Sequence, residues 1–244
     1  MPVRAPNAPA SAASIALRRY VAECVGTFLL VAIGPGAAMV AARTHAFGHA
    51  GVAAAFGLAV ALIVAATGHL GGAHINPAVT LGFWSLRRLP ARDVLPYIVA
   101  QCVGAIAAAA LLGWLLGSEN GFAATVPMLP IAQSFVVEMG YTGVLGFVIM
   151  AVATDVRTPS VIAPFTLGIT IALGALVAGP LTGGSFNPAR SLGSAVMEHV
   201  WTAHWLYWVA PILGMLLGMH LYEALRSASA PSVPRTPTGV EGPL

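Results

Sequence analysis

The sequence contains no lysine, and only 8% of its 244 residues are charged. Soluble domains carry about a quarter charged residues, so a soluble fold is excluded, and a mean hydropathy of +0.85 places the chain in a membrane. Every cation is an arginine, and the net charge is +3. Most of these arginines flank apolar runs, which is a topology signal; no nucleic-acid partner is expected. Cysteine is scarce as well. Cys24 and Cys102 both fall inside apolar runs without a ligand spacing, which excludes a disulfide framework, and no metal or other cofactor is expected. Neither Gly-x-Ser-x-Gly nor His-Glu-x-x-His occurs, so nothing points to an enzyme.

What the chain has is length of apolar sequence. Six runs, near 20–42, 51–69, 94–117, 131–154, 161–179 and 204–226, can each cross a hydrocarbon core of about 30 Å, which takes about 20 helical residues. The first run is too long for a signal-peptide core of about 7–15 residues and reads as a retained span. Two shorter apolar segments, 77–87 and 188–198, reach only about 16 Å at about 1.5 Å per residue. They cannot cross, so they read as re-entrant half-helices. The Pro-, Ala- and Ser-rich ends, 1–17 and 227–244, read as disordered tails. Between them lies one all-α membrane domain, 18–226, with halves at about 18–120 and 130–226.

The halves share one plan of span, span, half-helix, span. Glu23 precedes Thr27 as Glu138 precedes Thr142, and Asn76 and Asn187 follow those glutamates at nearly the same distance. Three full crossings per half mean that the second half enters from the opposite side, an inverted repeat. Arg4, Arg18, Arg19, Arg87, Arg88, Arg92, Arg157, Arg226 and Arg235 then share one face and Arg43 takes the other, which predicts a multi-pass protein with both termini cytoplasmic. Small residues at helical spacing (Gly104 and Ala108, Gly168 and Ala172, Gly214 and Gly218) predict close helix contacts in the lipid bilayer.

Each half-helix opens on Asn-Pro-Ala: GGAHINPAVT at 71–80 and GGSFNPARSL at 183–192. Asparagine is a strong N-cap, and proline costs little at the first helical position. The inverted repeat brings Asn76-Pro77-Ala78 and Asn187-Pro188-Ala189 to the midplane from opposite faces. Two positive helix ends, each about half an elementary charge, then meet there. Ahead of them Gly72, Ala73, His74 and Gly184, Ser185, Phe186 present backbone carbonyls, which survive at membrane depth only beside a wet cavity. Acceptors leading to donors in a positive field oppose cations and protons while passing neutral hydrogen-bonding molecules.

HINPAVT and SFNPARS, with AECVGTF before and HWLYWVAP after them, resemble the aquaporin (major intrinsic protein) family over about residues 18–226. The resemblance implies six spans plus two half-helices, one pore per subunit, a homotetramer and a plasma or inner-membrane location. It also implies a filter at Phe56, Ala175, Gly184 and Arg190. Strict water channels generally place His at the position of Ala175 and a small polar residue or Cys near Gly184. Glycerol facilitators place Gly and an aromatic there, with Trp instead of Phe56. This chain has lost bulk at both variable positions, so a wider aperture is expected. Ser191, Ala195, Tyr207 and Trp208 sit with the water-type pattern, and water is the expected solute, with ammonia, peroxide, urea or glycerol as passengers.

Glu23 and Glu138 could relay protons, but their symmetric placement favours bracing the re-entrant loops. His69 and His74 are expected to brace the first loop. A secondary transporter would share the inverted repeat; transporters, however, break a spanning helix, whereas these breaks follow complete spans.

Overall fold

A computed structural model describes residues 11–117, 121 and 123–228. Among these, eight α-helices and no strand occur: α1 Ala12–Thr44, α2 His49–Gly71, α3 Pro77–Ser85, α4 Ala91–Leu116, α5 Ile131–Ile149, α6 Ala163–Thr182, α7 Pro188–Glu198 and α8 Leu206–Ala228. α5 continues through a π-helical turn, Met150–Thr154. Six of these elements are long and apolar enough to cross a membrane. α3 and α7, with 9 and 11 residues, span about half of one at about 1.5 Å per residue.

The start of α1 corrects the expected tail boundary. Ser11 caps the helix by accepting from the Ser14 N–H at 3.2 Å, so 12–17 are helical. The stretch AASIAL is rich in alanine, the best helix former, and contains no proline. The rest of both expected tails, with Arg4 and Arg235, lies outside the described residues apart from the end of α8.

Helix pairing follows the repeat. α1 packs on α4 as α5 packs on α8, α3 packs on α8 as α7 packs on α4, and α2 meets α6 while α3 meets α7. Exchanging the halves leaves that pattern unchanged. Glycine permits the closest approaches. A Cβ on Gly57 of α2 would lie 2.5 Å from the Gly168 carbonyl oxygen of α6, and one on Gly168 would lie 2.6 Å from that of Gly57. Gly104 and Gly214 likewise sit against the carbonyls of Cys24 and Met139. Leu58, Leu62, Val103, Leu173 and Leu217 stay exposed on the perimeter, where lipid would cover them.

Side-chain bonds tie each end of the bundle together. At one end Arg19 donates to Asp93 at 3.1 Å and to the Tyr97 hydroxyl at 3.0 Å. Arg88 and Arg226 both pair with Glu223, and Asp155 accepts from Tyr222 at 2.8 Å. At the other end Arg43 donates to the Leu116 carbonyl at 2.8 Å. Arg19, Arg88, Arg157 and Arg226 therefore gather on one face, opposite Arg43.

Candidate functional site

Asn76 and Asn187 hold extended backbone, with φ −159° and −150°, as expected of an N-cap residue before proline. The Asn76 Oδ1 accepts from Ala78 N–H at 2.9 Å. The Asn187 Oδ1 accepts from Ala189 N–H at 3.0 Å and Arg190 N–H at 3.3 Å. Each amide also reaches across the midplane. Asn76 Nδ2 donates to the Phe186 carbonyl, and Asn187 Nδ2 to the Ile75 carbonyl, both at 2.7 Å. One N–H of each amide is thus committed to joining the loops, and one remains. Pro77, Ala78, Pro188 and Ala189 are buried behind the asparagines.

The loops ahead of the helices are wound by alternation of backbone hand. Ala73 and Ile75 have φ 48° and 46°, and Gly184 and Phe186 have φ 55° and 52°. A β-branched residue such as Ile75 at positive φ is strained, by about 1–3 kcal/mol. Two buried carboxylates hold this geometry. Glu23 accepts from the His74 and Ile75 N–H groups at 2.8 and 2.6 Å. Glu138 accepts from those of Ser185 and Phe186 at 3.0 and 2.9 Å. Successive N–H groups converging on one anion are what a turn of alternating hand provides. Such fully engaged carboxylates fit bracing.

Phe56, Ala175, Gly184 and Arg190 line one narrow cavity of about 100 Å³, together with Asn76, Asn187 and the residues 72–75 and 184–186. That is room for several waters. Leu30, Val60, Leu145, Ile149 and Leu167 form its apolar wall. Arg190 is 4% exposed. Its Nη1 donates to the Ala123 carbonyl at 2.8 Å, and its guanidinium carbon lies 5.3 Å from the Phe56 ring centroid. Its Nε has no hydrogen-bond partner, and no salt bridge reaches it among the described residues. A buried cation left with unpaired donors is costly unless water or solute meets it.

The narrow cavity shares Val64, Gly72, His74, Phe83 and Ala153 with a wider one of about 970 Å³ at the arginine-rich end. His74 stands at that junction, stacked on Phe83 at 4.7 Å and with Nδ1 3.2 Å from the Thr80 hydroxyl. Its ring ties the loop to α3. His69, expected to brace the same loop, is exposed on the wall of the wide cavity, and its ring makes no hydrogen bond among the described residues.

Other partners were not anticipated from the sequence. Gln101 Nε2 donates to Glu23 at 2.8 Å and to Thr80 at 3.0 Å; the Thr182 hydroxyl donates to Glu138 at 2.6 Å. Tyr97 and Tyr207 donate to the carbonyls of Gly71 and Thr182, at 2.9 and 2.7 Å. A polar Gln101 within a span was the available signal, as was the like placement of the two tyrosines after each motif. The Phe186 carbonyl, expected to line a pore, accepts from Asn76, and that of its counterpart Ile75 accepts from Asn187.

The sequence model of the family described as Major intrinsic protein matches residues 10–222. Aquaporin NIP1-1 of Zea mays is 40% identical over 217 residues, covering 88% of this chain and 77% of that one. Aquaporin Z of Rhodopseudomonas palustris is 41% identical over 224 residues, covering 85% and 92%. Among solved structures, the aquaglyceroporin from Plasmodium falciparum superposes with a TM-score of 0.76 at 22% identity, over 87% of this chain and 98% of that one, a likeness of fold. Six spans, two inverted half-helices and a family match over nearly the whole described bundle lead to one conclusion: the chain belongs to the major intrinsic protein family of membrane channels.

Proposed function

We propose that the protein is a passive channel for water that excludes cations and protons and admits small neutral solutes such as urea, glycerol, ammonia or peroxide. The observation that carries this reading is Arg190, buried on the cavity wall with its Nε unpartnered among the described residues. A guanidinium there repels cations and offers donors to a neutral solute. Phe56, Ala175 and Gly184 complete the filter in this reading, and the carbonyls of Gly72, Ala73, His74, Ser185 and Phe186 form the approach. Midway, Asn76 and Asn187 each turn their remaining N–H to the solute and so orient waters away from a proton-conducting chain. The small side chains at 175 and 184 support the wider solute range, while the names of the aquaporin relatives support water. The arginine-rich end faces the cytoplasm of a plasma or inner membrane by the positive-inside bias, and the subunits assemble as a homotetramer with one pore each.

Stopped-flow measurement on proteoliposomes tests the reading. Water flux should follow an osmotic gradient without any ion gradient, and flux that needs an ion gradient would sink it. Ala175→His with Gly184→Phe should cut urea and glycerol permeability by about tenfold, which corresponds to about 1.4 kcal/mol of added barrier. Water should fall less. Unchanged rates in that variant would remove these two positions from the filter.

A further inference from the structure

Two of the four filter corners, Ala175 and Gly184, contribute almost no side chain, so their position is a matter of backbone. Pro180 lies inside α6. Lacking an N–H, it deprives the carbonyl of Leu176, four residues earlier, of its helical partner. That carbonyl lies one residue from Ala175. His49, the first residue of α2, fills the gap: its Nε2 lies 2.8 Å from the Leu176 oxygen. A carbonyl only accepts, so Nε2 carries the proton and donates.

The ring reaches this carbonyl across Gly179, where a Cβ would come within 2.5 Å of His49 Cε1. Gly184 rests on the same turn, since a Cβ there would lie 3.1 Å from the Gly179 nitrogen. One imidazole therefore grips the turn of α6 that carries one filter corner and supports the other. His49 itself is exposed and is not among the cavity-lining residues.

We propose that His49 is a positioning residue that sets solute selectivity: it replaces the hydrogen bond that Pro180 removes and so fixes the backbone corner formed by Ala175 and Gly184. The inference rests on the channel reading above. Freed of His49, the Leu176 carbonyl tilts toward solvent and the α6 turn bows outward, as helices do where a backbone bond is lost. The aperture then widens toward larger neutral solutes.

The test compares wild type, His49→Ala and His49→Gln in proteoliposomes at equal protein, reading urea and glycerol permeability as ratios to water. Glutamine carries an amide donor at about the reach of Nε2, and the exposed site leaves folding little affected. His49→Ala should raise both ratios by about threefold or more, the scale of one hydrogen bond, and His49→Gln should restore them. Unchanged ratios in His49→Ala, a proportional loss of every flux, or a shift that glutamine does not restore would each overturn the proposal. Water flux with an unaltered ratio overturns this inference alone. A wild-type protein without osmotic water flux overturns the channel reading and this inference with it.

Discussion

The two re-entrant loops are built alike where they are held and unlike where they meet the narrow cavity. Each has a glutamate on two successive N–H groups, an asparagine cap that crosses to the other loop, and a tyrosine anchoring the end of the preceding helix. Beyond that the halves diverge. After Asn-Pro-Ala the first has Val79 and the second Arg190. The first loop packs His74 on Phe83. The second uses hydroxyls instead, with Ser185 on Ser191 at 2.5 Å and Ser191 on Thr125 at 2.7 Å. Scaffolding is thus duplicated, and in the proposed reading selectivity is vested in one copy. A midpoint between two equivalent helix ends needs symmetric support, whereas one charged constriction is enough to reject cations.

The strongest way to break the comparison is to remove a brace. Glu23→Ala and Glu138→Ala each strand two buried N–H groups and release a strained loop, at about 1–3 kcal/mol per group. Both should lower the thermal unfolding temperature in detergent and cut water flux by about tenfold or more. If one proved harmless, the equivalence of the two loops would fail. Next comes Arg190→Val, which makes the second motif read like the first. Water flux should persist while proton and cation leak, read by dye quenching across liposomes, rises by about tenfold; that corresponds to about 1.4 kcal/mol of lost barrier. Val79→Ala, at the matching place, should leave the leak at its wild-type level.

A finer contrast lies in the third partner of each carboxylate. Gln101→Leu and Thr182→Val each remove one charge-assisted hydrogen bond, worth about 1.5–3 kcal/mol. Similar falls in unfolding temperature are expected, and a fall in only one would show that the two carboxylates are not equivalently supported. The smallest effect concerns pH. Asp155, at the arginine-rich end, is held below the usual carboxylate range by hydrogen bonds from the Arg157 side chain and backbone, then from Tyr222. A depressed carboxylate contributes stability that is fully present above its unfolded value of about 3.9 and fades only as pH falls through the lower folded value. Asp155→Asn should therefore lower the unfolding temperature slightly at neutral pH, with the wild-type difference flat from about pH 6 to 8. A difference that changed across that window would point to another group.

Much of this was legible residue by residue. The half-helices begin at Pro77 and Pro188 because asparagine before proline both caps a helix and forbids an earlier start. The early start of α1 was misread because alanine appears in disordered tails and helices alike, and only the Ser11 cap separates them. His69 was misassigned for a different reason. Both line the wide cavity, but His74 is buried against Phe83 and Thr80 whereas His69 is exposed near the end of α2, a difference that residue type does not reveal. The partners Gln101, Thr182 and Ala123 were missed because each meets its target through a contact from a separate part of the chain.

The spans, the half-helices, the inverted plan and the residues able to cap or brace were all readable from the chain alone. These depend on apolar length, N-cap chemistry and spacing, which act locally. Three-dimensional packing alone shows that the asparagines tie the loops together, that Arg190 keeps an unpaired donor among the described residues, and that His49 answers the carbonyl stranded by Pro180. The physical reason is that hydrogen-bond satisfaction in a membrane is set by which distant helices touch.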